Sequence, residues 1–578
     1  MIKKLAACVR EYKKNSILAP IFITFEVLME VVIPLIMAKL IDNGVDAGNL
    51  SYILSAGGLL VLCCCFSLSM GVLSGRHAAI AAAGFAKNLR HDMYHRSQEF
   101  SFSNIDKFSS ASLITRMTTD VSNLQNSYMM IIRTAVRCPM MLIFALAMSF
   151  TVHSQLALVF LFAVPILAVG IVLIMRSVHP IFKRAFKTYD RLNQVVQEDL
   201  RGIRVVKSFV REDYETSKFQ QISERIYRDF RKAETIIAFN GPLMSFCSFG
   251  CMTAISWIGA RLIILSHGSE LSTGELMSML NYVMQILMSL MMLSMVFMMI
   301  IMSRASAERI VEVLDEKSDL CDPENPVTEI ADGSIEFDDV LFSYAREAEQ
   351  PVLDHVSLVI RSGETIGILG GTGSSKSSLV QLIPRLYDVK SGAVKVGGVD
   401  VRDYSLDALR GEVAMVLQKN VLFSGTIREN LRWGNENATD EELIHACELA
   451  QADGFIRELP GGYDYMIEQG GVNVSGGQRQ RLCIARALLQ KPKILNLDDS
   501  TSAVDMRTDA LIRKAFAEYI PETTKLIIAQ RIASVQDADR ILVLDNGRVC
   551  GFGTHEELLQ SNQIYREVYE SQTRKEVV

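Results

Sequence analysis

A run of glycines and hydroxyls leading to a lysine, Gly370-Gly371-Thr372-Gly373-Ser374-Ser375-Lys376-Ser377-Ser378, lies between the apolar stretch 365–369 and an amphipathic stretch of helical spacing. Backbone N–H groups of such a loop surround phosphate oxygens, a lysine placed like Lys376 reaches the outer phosphates, and a hydroxyl placed like that of Ser377 binds Mg2+. Further along, Val474-Ser475-Gly476-Gly477-Gln478 reads as a tight turn opening a basic helix with Arg479, Arg481 and Arg486. The exposed N–H groups and positive dipole end of such a helix suit a phosphate. The apolar strand 494–497 then ends in Asp498 and Asp499. A carboxylate pair at a strand end holds Mg2+ and positions a water beside a nucleotide. A glycine turn alone is ordinarily just a turn, but one followed by a buried strand with terminal acids predicts a nucleotide site.

These motifs resemble the ATPase domain of ATP-binding cassette transporters, with residues 370–378 as phosphate loop, 475–478 as signature, 494–499 as Walker B strand and 500–505 as D-loop. The resemblance implies ATP and Mg2+ as cofactors. It assigns ATP to the phosphate loop and to Ser475, Gly476, Gly477 and Gln478, and the metal to Ser377, Gln418 and Asp498. Tyr344, in Phe342-Ser343-Tyr344, takes the place of the aromatic that stacks on adenine, although a tyrosine on a strand is ordinarily core. Gln418, after the apolar run 413–417, matches the Q-loop that links the nucleotide site to the membrane domain. Glu468-Gln469-Gly470-Gly471 resembles a loop that contacts the membrane domain in exporters.

Three positions depart from the family pattern. Ser375 stands where a glycine precedes the lysine, a change expected to leave nucleotide binding in place. Asp499 stands where the family carries the glutamate that activates the attacking water. Its carboxylate is one methylene shorter and should retreat by roughly 1.5 Å. Misplacing a general base forfeits most of the ~10²–10⁴-fold it supplies. Gln530 stands where the switch histidine contacts the γ-phosphate; an amide donates there but relays no proton.

These residues need a sheet and helices to hold them, and the chain has far more than that. Its 578 residues exceed a single core. With 49% hydrophobic residues and a positive mean hydropathy, membrane segments are expected. The net charge of −6 gives no reason to propose nucleic acid as a partner. The eleven cysteines show no metal-ligand spacing, and Cys63, Cys64 and Cys65 read as small hydrophobes of a reducing or lipid setting. Lys3, Lys4, Arg10, Lys13 and Lys14 precede the first apolar segment without a small-residue cleavage site, so no signal peptide is expected.

Six segments, near 16–40, 52–73, 128–150, 156–175, 236–265 and 276–302, are long enough to cross a bilayer. The connections after the second and fourth are long and rich in Lys and Arg, which puts them and both termini in the cytoplasm. Stretches 75–100 and 181–231 read as polar continuations of the membrane helices, with turning elements expected at 103–108 and 208–214. In the resembling exporters, short coupling helices at these places touch the ATPase domains. Glu26 and Glu30 share a face of the first span and either pair with Arg133 or Arg137 or serve a functional site. Met284, Met288, Met291, Met295, Met298 and Met302 form a stripe that is either helix packing or a cavity wall. Asn240-Gly241-Pro242 should break or kink the fifth helix.

The predicted organisation is an α-helical membrane domain, six transmembrane helices with long cytoplasmic extensions over 1–317, then a linker at 318–333 and an α/β P-loop ATPase domain over 334–578. The resemblance implies a multi-pass protein of the plasma (inner) membrane with a cytoplasmic ATPase domain, exporting amphipathic small molecules or lipids by alternating access. Intact Ser475, Gly476 and Gly477 beside a weakened Asp499 and Gln530 predict one half of a heterodimer. The partner half-transporter should carry Glu and His at the matching positions. A homodimeric exporter with slow ATPase, or a regulatory ATP-sensing subunit that moves no cargo, are the alternatives.

Overall fold

A computed structural model describes the chain except residues 345–349, 500–503 and 577–578, with backbone alone at 190 and 574–576. The D-loop positions 500–503 thus lie outside the described residues. The chain divides into two compact units, Met1–Gln98 with Ser110–Glu316, and Glu99–Ser109 with Lys317–Val578.

The first unit holds six helices apolar and long enough to span a membrane: Arg10–Asp46, Leu50–Gln98, Ser110–Val152, Ser154–Arg201, Glu212–Ser266 and Thr273–Asp315. Each contains one of the predicted spans, and several run well past it, as the polar continuations require. Close approach is built from small residues. Ala19, Ala78 and Ala81 are fully buried together, and a Cβ on Gly274 would fall 2.2 Å from the Ala38 carbonyl oxygen of the first helix. The fifth helix is interrupted at Phe239, between Glu212–Ala238 and Asn240–Ser266, just before Gly241 and Pro242.

Two carboxylates inside the first span share one arginine. Arg137 of the third helix donates to Glu26 Oε1 at 2.5 Å and to both oxygens of Glu30 at 2.7 and 2.8 Å. The intramembrane carboxylates are therefore paired, by Arg137 and not by Arg133. Most of the methionine stripe faces outward: Met284, Met288, Met291, Met295 and Met302 are exposed and Met298 is half-buried, with Ser248 Oγ 3.6 Å from Met284 Sδ, while Met279, Tyr282, Val283 and Ile286 form the buried face.

Of the expected turning elements, the first is the helix Phe102–Phe108, capped at Ser101 by a reciprocal bond with Asn104. The second turns within the expected stretch, at 209–211, but its helix lies before it. Its short helix is Ile203–Ser208, upstream of 208–214, and the returning helix already begins at Glu212. Glu212, Asp213 and Glu215 crowd that first turn, where carboxylates favour the helix N-terminus.

In the second unit a four-stranded antiparallel sheet combines β1 (Ile335–Phe342), β2 (Leu353–Ile360), β4 (Ser391–Val396) and β5 (Val399–Asp400) in the order β2-β1-β4-β5. A six-stranded sheet combines β3 (Thr365–Gly370), β6 (Val413–Val416), β9 (Ile494–Asp498), β10 (Thr524–Ile528), β11 (Arg540–Asp545) and β12 (Arg548–Gly553) in the order β12-β11-β3-β10-β9-β6. A minor pair joins β7 (Gly425–Thr426) to β8 (Met466–Ile467). Strands β9 and β10 are buried throughout, the mark of parallel strands covered on both faces. Residues 318–333 pack onto this unit: Leu320 and Ile330 are buried and Val327 bridges Tyr404.

Candidate nucleotide site

Register places the chemistry. Ile528 of β10 lies beside Ile368 of β3 on one side and Asp498 of β9 on the other. The phosphate loop after β3, the acids ending β9 and Gln530 after β10 therefore emerge at one edge of the parallel sheet. The carboxyl edge of parallel strands is where α/β sheets bind ligands.

The loop itself is shaped by residues without side-chain bulk. A Cβ on Gly370 would sit 2.3 Å from the Leu544 carbonyl oxygen and 2.4 Å from Ser374 Oγ, so only glycine fits. Gly373 is left-handed at φ +84°, and so is Ser375 at φ +73°. Ser375 thus holds a conformation that glycine adopts without steric cost. Lys376 opens the helix Lys376–Leu382 and folds its ammonium back, donating to the Gly370 and Gly371 carbonyls at 2.9 and 2.8 Å and to Ser374 Oγ at 3.3 Å. Burial holds the Lys376 ammonium below the usual lysine range, partly offset by the charges of Asp498 and Asp499.

Ser377 Oγ donates to Asp498 Oδ1 at 2.9 Å, joining two of the expected metal ligands. Burial raises the Asp498 carboxyl above the usual carboxylate range, with the Ser377 bond opposing and the Asp499 charge adding to the rise. A buried, half-paired acid beside a serine hydroxyl and a lysine is a donor set that fits a hard divalent cation bound together with phosphate oxygens. Gln530 Nε2 donates to Asp499 Oδ2 at 2.9 Å. Two of the three departures from the family pattern therefore touch each other. Asp499 sits in the left-handed region at φ +48°, and Gln480 of the signature helix donates to its carbonyl at 3.4 Å.

Tyr344 is about half exposed and its hydroxyl meets Ser378 Oγ at 2.9 Å, which ties it to the loop helix rather than to the core. Its ring stands edge-on to Phe342 and to Tyr387, at 4.9 and 5.0 Å. Tyr387, not singled out from sequence, donates in turn to Asp106 Oδ2 of the helix Phe102–Phe108 at 3.0 Å, and Phe102 lies 6.1 Å from its ring.

Other predicted residues stand apart. Gln418 is exposed two residues beyond β6 and makes no hydrogen bond among the described residues. Ser475 caps the helix Gly476–Leu489 through a reciprocal pair with Gln478, at 3.2 and 2.9 Å. Among the described residues no hydrogen bond connects 475–478 to the phosphate loop. Gly470 and Gly471, in the loop after Glu468, both adopt left-handed backbone.

Residues 16–306 match the family model "ABC transporter transmembrane region" and residues 353–502 match "ABC transporter". The chain is 36% identical to the Uncharacterized ABC transporter ATP-binding protein YfiB of Bacillus subtilis, over 100% of this chain and 99% of that protein. It is 34% identical to an ATP-dependent lipid A-core flippase of Desulfotalea psychrophila, over 80% of each. A solved bacterial Atm1-family ABC exporter with ATP bound shares the fold, with a TM-score of 0.81 at 23% identity over 98% of this chain and 99% of that one.

Proposed function

The chain belongs to the ABC transporter family, an integral membrane half-transporter with a cytoplasmic ATPase domain, and on that premise we propose that it works as the weakly hydrolysing half of a heterodimeric exporter. The observation that carries this is the pairing of Gln530 with Asp499 at the end of β9. The amide occupies one oxygen of the shortened carboxylate and, unlike a histidine, relays no proton near neutral pH.

The residues divide their work accordingly. Lys376 and the N–H groups of 370–378 hold the triphosphate of ATP, Tyr344 offers a ring to adenine, and Ser377 with Asp498 and Gln418 hold Mg2+. When bound, the metal neutralises charge on the phosphate oxygens. Asp499 orients water poorly, so this chain's own loop grips ATP and cleaves it slowly. Ser475, Gly476 and Gly477 are free to complete a site on a second half-transporter, which carries Glu and His at the positions of Asp499 and Gln530. Closing of the ATPase pair around ATP drives the bundle between inward-facing and outward-facing states.

The likeness to a relative named as a lipid flippase supports an amphipathic or lipid cargo. The test is ATP turnover by the purified chain alone in lipid. Slow turnover, restored by Asp499→Glu with Gln530→His, is expected. Brisk hydrolysis that collapses in Asp499→Asn would remove the heterodimer reading.

A further inference from the structure

The fourth and sixth membrane helices, Ser154–Arg201 and Thr273–Asp315, enclose an open cleft of about 790 Å³ inside the first unit. Its walls change character along both helices at the same level. Val172 and Met175 on one helix and Phe297 and Ile301 on the other line the end that falls within the apolar spans. Arg176, His179 and Lys183 on the first helix and Arg304 on the second line the cytoplasmic end. Residues 172, 175, 176, 179 and 183 recur at three- and four-residue steps, so they form one face of their helix. Ser294 Oγ contacts Met175 Sδ at 3.9 Å and ties the two walls together at the apolar end.

The cations are not balanced. Glu308 is the carboxylate in the cleft, and Arg304 Nε already holds it at 2.8 Å. Arg176, His179 and Lys183 are exposed and have no hydrogen-bond or ion-pair partner among the described residues. Cationic side chains at a helix end ordinarily reach for the headgroup region. Here, however, they converge from two helices on a recess whose other end is apolar, instead of radiating outward. Guanidinium groups offer forked donors suited to phosphate or carboxylate, and the thioether and phenyl walls accept an alkyl chain.

We propose that this cleft binds an anionic amphiphile drawn from the cytoplasmic leaflet, its phosphate or carboxylate head among Arg176, Lys183 and Arg304 and its chain along Val172, Met175, Phe297 and Ile301. The inference deepens the export reading and rests on it for what becomes of the bound molecule. It makes the cargo of the exporter anionic.

The test uses the full chain in nanodiscs of neutral phosphatidylcholine. A diazirine-bearing palmitate and a hexadecyl-trimethylammonium probe with the same photoreactive chain are each crosslinked without ATP, and the labelled peptides are mapped. The palmitate probe should label 172–183 and 297–308 at least tenfold more than the cationic probe. Lysophosphatidate should displace it, and glycerol phosphate at equal concentration should not. The triple variant Arg176→Gln, Lys183→Gln, Arg304→Gln should lose tenfold in labelling, and Arg176→Lys, Lys183→Arg, Arg304→Lys should keep it. Equal labelling by both probes, labelling indifferent to the triple variant, or displacement by glycerol phosphate as strong as by lysophosphatidate would each overturn the proposal. The labelling needs no hydrolysis, so a chain that labels as expected yet moves no lipid across vesicles refutes export and leaves the site standing.

Discussion

At the residue scale, Ser375 shows how a departure from a motif can leave its geometry intact. A left-handed non-glycine residue costs roughly 1–2 kcal/mol, against about 0.4–1 kcal/mol that a glycine would add to the unfolded chain's entropy. Ser375 adopts φ +73° regardless, because the strand β3 before it and the helix after it fix both ends of the loop. Ser375→Gly should therefore raise the melting temperature of the ATPase domain by about 2 °C, with ATP affinity within about twofold. Scanning calorimetry and nucleotide titration check both, and a fall in melting temperature would show the loop is not strained. Asp499 and Gln530 differ from Ser375 in that the proposal gives them an effect on chemistry, through their mutual hydrogen bond at 2.9 Å. Asp499→Glu alone should raise turnover modestly, because Gln530 still occupies the carboxylate. With Gln530→His added, the gain should reach at least tenfold of the ~10²–10⁴ a placed base supplies. Steady-state phosphate release distinguishes the two, and equal rates in the single and double variants would mean the Gln530 contact is idle.

At the element scale, the short helix Phe102–Phe108 is held to the second unit by Tyr387, by Ser103 to Asp319 at 2.7 Å, and by Asn104 to the Lys317 carbonyl at 3.3 Å. Burial pushes the Tyr387 phenol up, so it stays a donor to Asp106 at any physiological pH. Tyr344 stands edge-on to the same ring, so if it stacks on adenine as proposed, Tyr387 would link that position to this helix. Tyr387→Phe keeps the ring and removes the bond. It should leave nucleotide affinity within about twofold while cutting cargo stimulation of ATPase severalfold, since one charge-assisted bond is worth roughly 1.5–3 kcal/mol. Loss of nucleotide binding in parallel would mark the residue as merely structural.

Sequence and structure agree most closely where a local signal decides the element. The phosphate loop, the strand ending in Asp498 and the six long apolar helices each carry their own periodicity or glycines. The break before Gly241 and Pro242 was legible for the same reason. The second tip helix was misplaced because an exposed run such as Ile203–Ser208 has no distinguishing period, and only the acids at 212–215 mark where the next helix starts. The role of Tyr387, the choice of Arg137 over Arg133, and the outward face of the methionines depend on which helix lies opposite. Spacing along one chain does not contain that information.

At the scale of the whole molecule, the heterodimer proposal assigns the two halves of the nucleotide machinery in this chain to different sites, and that would give a measurable asymmetry. Lys376 belongs to the pocket that ends in Asp499, whereas Ser475 and the glycines after it open a helix that makes no hydrogen bond with that pocket's phosphate loop among the described residues. If each ATP sits between one chain's loop and the other chain's signature, this chain's signature governs the competent site and its lysine governs the slow one. In a purified heterodimer, Gly476→Asp in this chain should therefore abolish most ATP turnover, because a carboxylate would meet the γ-phosphate at the site that fires. Lys376→Ala in the same chain should leave a substantial fraction, since it empties a pocket that contributes little hydrolysis. A homodimer built from two copies has no such asymmetry, and both substitutions would silence it alike. Parallel measurement of the two variants thus separates the assemblies whatever the cargo is, and equal inactivation decides for two identical slow sites.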